Sequence, residues 1–325
     1  MLRGGIDLGG TKIQAAIVDA DGAVVSQSRH PTPTSGGPHD VAVAMVAALL
    51  DAADEAGVET DSLLGVGVGS PGVVDDAAGT VAEARNLPDW EEPYPLRDVL
   101  ALELGTGVRL GNDVQVATDA EFALGAGRPY RSILGVFWGT GVGGGIVLDG
   151  KPWLGRSAAG EIGHMVVRDG GRRCPCGRRG CMEAYAGRLA LERRASKRVA
   201  AGERTNLFSI MEKRGRDRLS SGVWARSLRA GDAMASELVD EAVAAIAAAA
   251  ASAVNLLDVE AVIVGGGMGV RLGEPYVRRI EEAMQPHVFA AMPSVHVAAL
   301  GDLGGAIGAS LLVRPQAAVP LARAA

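Results

Sequence analysis

The sequence predicts an α/β fold built from two related halves, and three observations predict it. Glycine-rich bends recur after short apolar runs, at Gly9-Gly10, at Gly139-Thr140-Gly141 and at Gly265-Gly266-Gly267. Runs with strand character alternate with runs at helical spacing. The second bend repeats the strand, turn of Gly and Thr, strand design of the N-terminus, which suggests internal duplication. At 325 residues and 48% apolar, the chain is long enough for two domains of ordinary size.

Taken in order, Ile6 to Leu8 and Lys12 to Val18 flank the Gly9-Gly10-Thr11 turn. Asp21-Gly22 then leads into Ala23-Val24-Val25, the pattern of three successive antiparallel strands. A glycine-lined bend points several backbone N–H groups at one spot, a nest suited to phosphate oxygens, although hairpins use the same residues without any ligand. Asp7 before the turn is placed to hold a magnesium ion or its waters, and Thr11-Lys12 follow it.

His30 to Asp40 reads as a surface loop and Val41 to Ala56 as a helix. Leu63 to Gly69 is a buried strand entering the turn Ser70-Pro71-Gly72. In the polar turn Asn86-Leu87-Pro88-Asp89-Trp90 the aromatic looks exposed. That turn is either an ordinary loop, or Asn86 offers a donor and an acceptor to a polyhydroxylated ligand.

Val108 to Gly111 runs into Asn112-Asp113 and then a helix to Leu124; a carboxylate at such a junction is as readily an N-cap as a catalytic group. After the second glycine bend, Arg188 to Arg229 is charged and mostly helical. Asp232 to Leu257 is an alanine-rich helix. Val259 to Val264 is a buried strand ending in Gly265-Gly266-Gly267. Val295 to Leu300 and Gly304 to Ala309 supply a last strand and a glycine-packed helix, and the tail from Pro315 is expected to be loose.

Between Gly160 and Glu183 the chain places all three of its cysteines together with His164, Glu161 and Glu183. The spacing His-x9-Cys-x-Cys-x4-Cys, set among glycines that allow tight turns, predicts a closed structural zinc site of His164, Cys174, Cys176 and Cys181. The bland alternative is three buried thiols and a core histidine. Disulfides fit poorly, because three cysteines cannot pair off and nothing else suggests a secreted chain.

The bulk properties exclude other classes. The net charge of -6 gives no overall attraction to nucleic acid, and the basic clusters at Arg178-Arg179 and Glu192 to Arg198 read as solvated faces. The alanine-rich uncharged run Ala242 to Leu257 is short for a membrane span and weakly apolar. Strand residues begin by Gly4-Gly5-Ile6, leaving no room for a signal peptide, so a cytoplasmic protein is expected.

These pieces, in this order, resemble the ROK family of sugar kinases and sugar-responsive repressors. The matching residues are Asp7 to Lys12, Asn112-Asp113, Gly139 to Gly145, Glu161-Ile162-Gly163-His164, Cys174 to Glu183, and Asn255 through Gly267. The resemblance spans nearly the whole chain. It implies the actin-like, ribonuclease-H-like two-lobed ATPase fold. The smaller lobe would comprise residues 1–111 plus about 305–325, and the larger lobe 112–304 with the zinc motif.

The resemblance further implies that Asp7, Gly9, Gly10, Thr11, Lys12, Gly139, Thr140 and Gly141 face the phosphates of ATP, and that Gly265, Gly266 and Gly267 lie near adenosine. Asp113 would be the general base, with Gly72, Asn86, Asn112, Asp113, Glu161, His164 and Glu183 reading the sugar. ATP, Mg2+ and a structural Zn2+ are the implied cofactors, and a homodimer or homotetramer the implied assembly. The implied reaction is phosphorylation of glucose at its 6-hydroxyl, with N-acetylmannosamine or fructose as alternative substrates and polyphosphate as an alternative donor. The family's repressors carry a helix-turn-helix segment before the kinase-like body, and none fits ahead of Gly9. One departure stands out: many family kinases have Asp-Ala-Asn-Ala-Ala after the base, where this chain has Asp113-Val114-Gln115-Val116-Ala117.

Overall fold

The computed structural model describes residues 1–84, 86–289 and 291–314. The tail expected to be loose, from Pro315, lies outside them. The chain divides into two compact units, Met1–Ala117 with the segment from Gly305 onward, and Thr118–Gly304.

In the first unit the Gly9 and Gly22 turns fold β1 (Arg3–Leu8), β2 (Lys12–Val18) and β3 (Val24–Pro31) into an antiparallel meander. Helix α1 (Pro38–Ala56) has proline in its first turn and ends at Gly57 in the left-handed region, φ 69°. It leads to β4 (Val66–Ser70), which pairs parallel to β1. A small hairpin of β5 (Val73–Asp75) and β6 (Thr80–Ala82) and a helix α2 (Leu96–Leu104) precede β7 (Val108–Asn112), parallel to β4. The sheet order is β3-β2-β1-β4-β7. Helix α3 (Asp113–Leu124) starts where β7 ends.

The second unit repeats the plan. β8 (Ile133–Trp138), β9 (Val142–Leu148) and the short β10 (Lys151–Pro152) form the meander. The cysteine segment follows, then α4 (Glu183–Ala186), α5 (Arg188–Ala200), α6 (Leu207–Lys213), α7 (Ser221–Arg229) and the long α8 (Ala233–Leu257). β11 (Ala261–Gly265) runs parallel to β8, α9 (Gly266–Leu272) and α10 (Glu274–Met284) cross over, and β12 (Ser294–Val297) runs parallel to β11. The order β10-β9-β8-β11-β12 matches that of the first sheet strand for strand. Two copies of one mixed α/β unit are the actin-like, ribonuclease-H-like design.

Helix α11 (Gly304–Ser310) packs on the first sheet at unusually short range, and glycine makes this possible. A Cβ on Gly5 or on Gly67 would collide with the carbonyl of Ala306 or Ala309. Each unit has its own apolar core, one around Ile6, Met45, Leu49, Trp90 and Leu100, the other around Val136, Trp138, Trp224, Ile246 and Val264. Alanine supplies 11 of the 25 residues of α8, and the helix buries 14 of the 25, between Met234 and Val254. Among the described residues no helix is long and apolar enough to cross a membrane.

Two local expectations are corrected. Trp90 is 1% exposed, with its indole N–H donating to the Val81 carbonyl at 2.9 Å. Burying that ring against the first core gains about 2–3 kcal/mol, more than the turn residues around it decide. Strand β3 also runs on through His30 and Pro31, because pairing with β2 extends to Lys12 opposite Pro31. Proline is tolerated there, since β3 is an edge strand.

Candidate functional site

In each unit the residues of interest collect at the carboxyl ends of the parallel strands, where open α/β sheets bind ligands. In the first unit these ends are Leu8 of β1, Ser70 of β4 and Asn112 of β7, leading into the Gly9 turn, Gly72 and Asp113. In the second they are Trp138 of β8 and Gly265 of β11, leading into the Gly139 turn and the Gly266-Gly267 helix start.

Both glycine turns are closed by an N–H to carbonyl bond and have two carbonyls held from outside, though the first is a four-residue turn and the second a three-residue one. In the first, Gly9 N–H donates to the Lys12 carbonyl at 3.0 Å, Thr32 Oγ1 donates to the Gly9 carbonyl at 2.6 Å, and Thr32 N–H donates to the Thr11 carbonyl at 3.4 Å. In the second, Gly139 N–H donates to the Gly141 carbonyl at 2.9 Å, while the Gly139 and Thr140 carbonyls accept from Arg188 and Leu189 N–H, both at 3.1 Å. With the carbonyls occupied, the N–H groups of Gly10, Thr11, Thr140 and Gly141 have no intramolecular partner among the described residues. Outward-facing N–H groups on a tight bend form an anion nest.

Around the first turn, Asn86 is exposed and close: a Cβ on Gly10 would sit 3.1 Å from its amide nitrogen. The carboxylate of Asp7 lies against Gly305, where a Cβ would stand 2.5 Å from its Cγ. Lys12 hydrogen-bonds Gln14. Gly72, at φ +90°, packs on the backbone of Ala82 and Ala84, two residues before Asn86.

At the end of β7 the side-chain oxygen of Asn112 accepts from the N–H groups of Val114 and Gln115, both at 3.1 Å. Asn112 is therefore the cap of α3, and Asp113 is the first helical residue, with its Oδ1 accepting from Val114 N–H at 2.9 Å. Gln115, the departure from the family pattern, is buried.

The cysteine segment folds back on the second hairpin. His164, Cys174, Cys176 and Cys181 offer ligand atoms that all lie within 4.8 Å of one another. Cys176 Sγ is 3.7 Å from Cys181 Sγ, and Cys174 Sγ is 3.8 Å from His164 Nδ1. A zinc tetrahedron with bonds of about 2.0–2.3 Å has edges of roughly 3.5–3.8 Å, the spacing of these two pairs, and the donor types are those zinc takes. Burial, with the charge of Glu183 adding to it, pushes the Cys174 thiol up to about 12, and Cys181 is raised as well. Burial acts on Cys176 in the same sense, but the Arg178 backbone N–H and the neighbouring thiols bring it down to about 7.

His164 presents Nδ1 to the cluster and Nε2 to Glu161, whose Oε2 is 3.9 Å away. Glu183 joins two parts of the site: Oε2 accepts from Val142 N–H at 3.0 Å and Oε1 stands 3.9 Å from Cys174 Sγ. A Cβ on Gly141 would collide with that carboxylate and displace it from its bond to Val142. Glu161, His164 and Glu183 thus gather with the cysteines beside the second turn. Gly265 packs on the Phe137 ring and Gly266, at φ +77°, on the Trp138 backbone.

Sequence reasoning missed Arg188, one basic residue in a chain with 32 lysines and arginines. Its Nη2 donates to Thr140 Oγ1 at 2.9 Å and its Nη1 to the Leu219 carbonyl at 3.1 Å. Only its place, just after Gly187 at a helix start, hinted at such a role.

Comparison with known proteins matches residues 3–316 to the model of the ROK family. The chain belongs to the ROK family. It is 33% identical to a glucokinase of Thermotoga maritima over 95% of this chain and 96% of that one. An N-acetylmannosamine kinase of Haemophilus influenzae is 30% identical over 95% of this chain and 94% of its own length. Among solved structures, a ROK family glucokinase from Streptomyces griseus in complex with glucose and AMPPNP superposes with a TM-score of 0.83. It is 33% identical, with 96% of this chain and 99% of that chain covered.

Proposed function

We propose that this protein transfers the γ-phosphoryl group of ATP to the 6-hydroxyl of glucose, with Asp113 as general base. The broader statement, that the chain is an ATP:hexose phosphotransferase of the ROK family, rests on the family match and on glucokinases at 32–33% identity across nearly the whole chain. The observation that carries the reading is the pair of glycine turns at corresponding places in the two sheets, whose N–H groups at Gly10, Thr11, Thr140 and Gly141 have no partner among the described residues and are open to phosphate oxygens.

Phosphoryl transfer asks for positioning and charge stabilisation more than for covalent chemistry. Gly9 to Lys12 and Gly139 to Gly141 would cradle the phosphates, and Gly265 to Gly267 would border adenosine. Asp7, a carboxylate at the end of β1, would hold Mg2+ or its waters, and the ion supplies positive charge to the γ-phosphoryl oxygens. Asp113 would take the hydroxyl proton as the new P–O bond forms, and because Asn112 supplies the α3 cap, helix integrity does not depend on the Asp113 charge.

Gly72, Asn86, Asn112, Glu161, His164 and Glu183 would read the sugar hydroxyls, since a site that pairs each hydroxyl rejects sugars lacking one. Zinc held by His164, Cys174, Cys176 and Cys181 would be structural, because four protein ligands leave no open position.

The test uses purified protein, Mg-ATP and a panel of glucose, mannose, fructose, N-acetylglucosamine and N-acetylmannosamine. ADP release is expected fastest with glucose, and the product should carry phosphate on O6. Release with none of the five sugars sinks the reading.

A further inference from the structure

Arg188 connects to the second glycine turn through both its main chain and its side chain. Its N–H and that of Leu189 hold the carbonyls of Gly139 and Thr140, while its guanidinium holds Thr140 Oγ1 and the Leu219 carbonyl. Leu219 leads into Ser220 and Ser221, and Ser221 Oγ would stand 3.8 Å from a Cβ on Gly267. One side chain therefore spans the stretch assigned to phosphate and the loop beside the stretch assigned to adenosine.

Among the described residues the guanidinium makes no hydrogen bond to a carboxylate. Glu192, one turn further along α5, gives its Oε1 to Arg218 at 2.8 Å. Burial lowers the arginine's pKa from its ordinary value, opposed by the charge of Glu192. A half-buried cation with no bonded counter-ion is costly, and a polyanion at the adjacent turn offsets that cost. Two of its N–H groups orient protein atoms and the rest of the fork remains available.

We propose that Arg188 is a positioning residue for the phosphate donor. It acts through Thr140, keeping the hydroxyl in place and the N–H groups of Thr140 and Gly141 turned toward the nucleotide phosphates. The proposal rests on the ATP reading above. It places the consequence of losing Arg188 in nucleotide binding and not in sugar binding.

Calorimetry with Mg-AMPPNP on the full chain tests this without requiring turnover. Arg188→Met should weaken AMPPNP binding about tenfold, and Arg188→Lys by a smaller but measurable factor, because an ammonium keeps the charge and cannot bond two acceptors in a fixed fork. Affinity for the sugar that supports turnover should stay within about twofold. The double variant Arg188→Met with Thr140→Val should bind no more weakly than the poorer single variant, as expected of residues acting in one unit.

Unchanged AMPPNP affinity in the lysine variant overturns the proposal, and that variant carries the test if the methionine variant fails to fold. A double variant whose loss is the product of the two single losses also overturns it, as does equal loss of nucleotide and sugar affinity, which marks a purely structural clamp. If the unaltered protein binds no AMPPNP, the ATP reading itself has failed and this proposal fails with it.

Discussion

Glu183 Oε2 accepts a hydrogen bond of 3.0 Å from the backbone N–H of Val142, the first residue after the second glycine turn, while Oε1 faces the thiol of Cys174. One carboxylate thereby ties the cysteine segment to the hairpin. The two jobs can be separated by substitution. Glu183→Gln keeps an acceptor for Val142, so the thermal midpoint should change little, while KM for the sugar rises on the order of tenfold through loss of a charged acceptor. Glu183→Ala should lower the midpoint as well, and thermal unfolding beside steady-state kinetics distinguishes the two variants.

The four-donor cluster predicts about one zinc per chain by metal analysis. Its acid sensitivity follows from the thiols. Cys174, pushed up to about 12, binds its proton at neutral pH, and Cys176, near 7, is half-protonated there. Zinc must displace these protons, so zinc affinity should fall at least tenfold per pH unit as pH drops from 8 to 6, read by competition with a chelator. Cys176→Ser should lose zinc and sugar affinity together; loss of zinc with sugar binding intact would make the cluster only a staple.

Asp113→Asn should reduce kcat by about a thousandfold while leaving the fold in place, because Asn112 caps α3. Asn112→Ala should instead cost about 1 kcal/mol of stability, measured by denaturant unfolding. The reverse outcome would return Asp113 to the role of an ordinary helix cap.

Glu121, 1% exposed, accepts hydrogen bonds from the N–H groups of Ala126, Ala299 and Leu300 at 2.8–3.0 Å. It joins the end of α3 to the segment after β12. Glu121→Ala removes the acceptor of three part-buried N–H groups, which water can reach in part, and should cost about 2 kcal/mol in urea unfolding.

Much of the architecture was legible in the chain because its signals are local. The Gly9 and Gly139 turns, the alanine-rich stretch that became α8 and the spacing of the four metal donors are all written within a few residues of one another. Family membership added the fold, and the two matching sheet orders bear it out.

What lay beyond the sequence depended on partners far along the chain. Trp90 was misjudged because its burial is decided by a core assembled from β1, α1 and α2. The choice between Asn112 and Asp113 as helix cap turned on which side chain could bend back onto the first N–H groups, and both residue types make good caps. Arg188 and Thr140 are separated by 48 residues, and Glu183 and Val142 by 41.

The sequence by itself determined the chemical parts: two glycine turns of the kind that can face phosphate, a carboxylate at a helix start, and a histidine and three cysteines that could hold a metal ion. Only the tertiary structure decided how those parts hold one another. Hydrogen bonds across such separations exist only once loop closure has brought the segments together, and no local propensity encodes that closure.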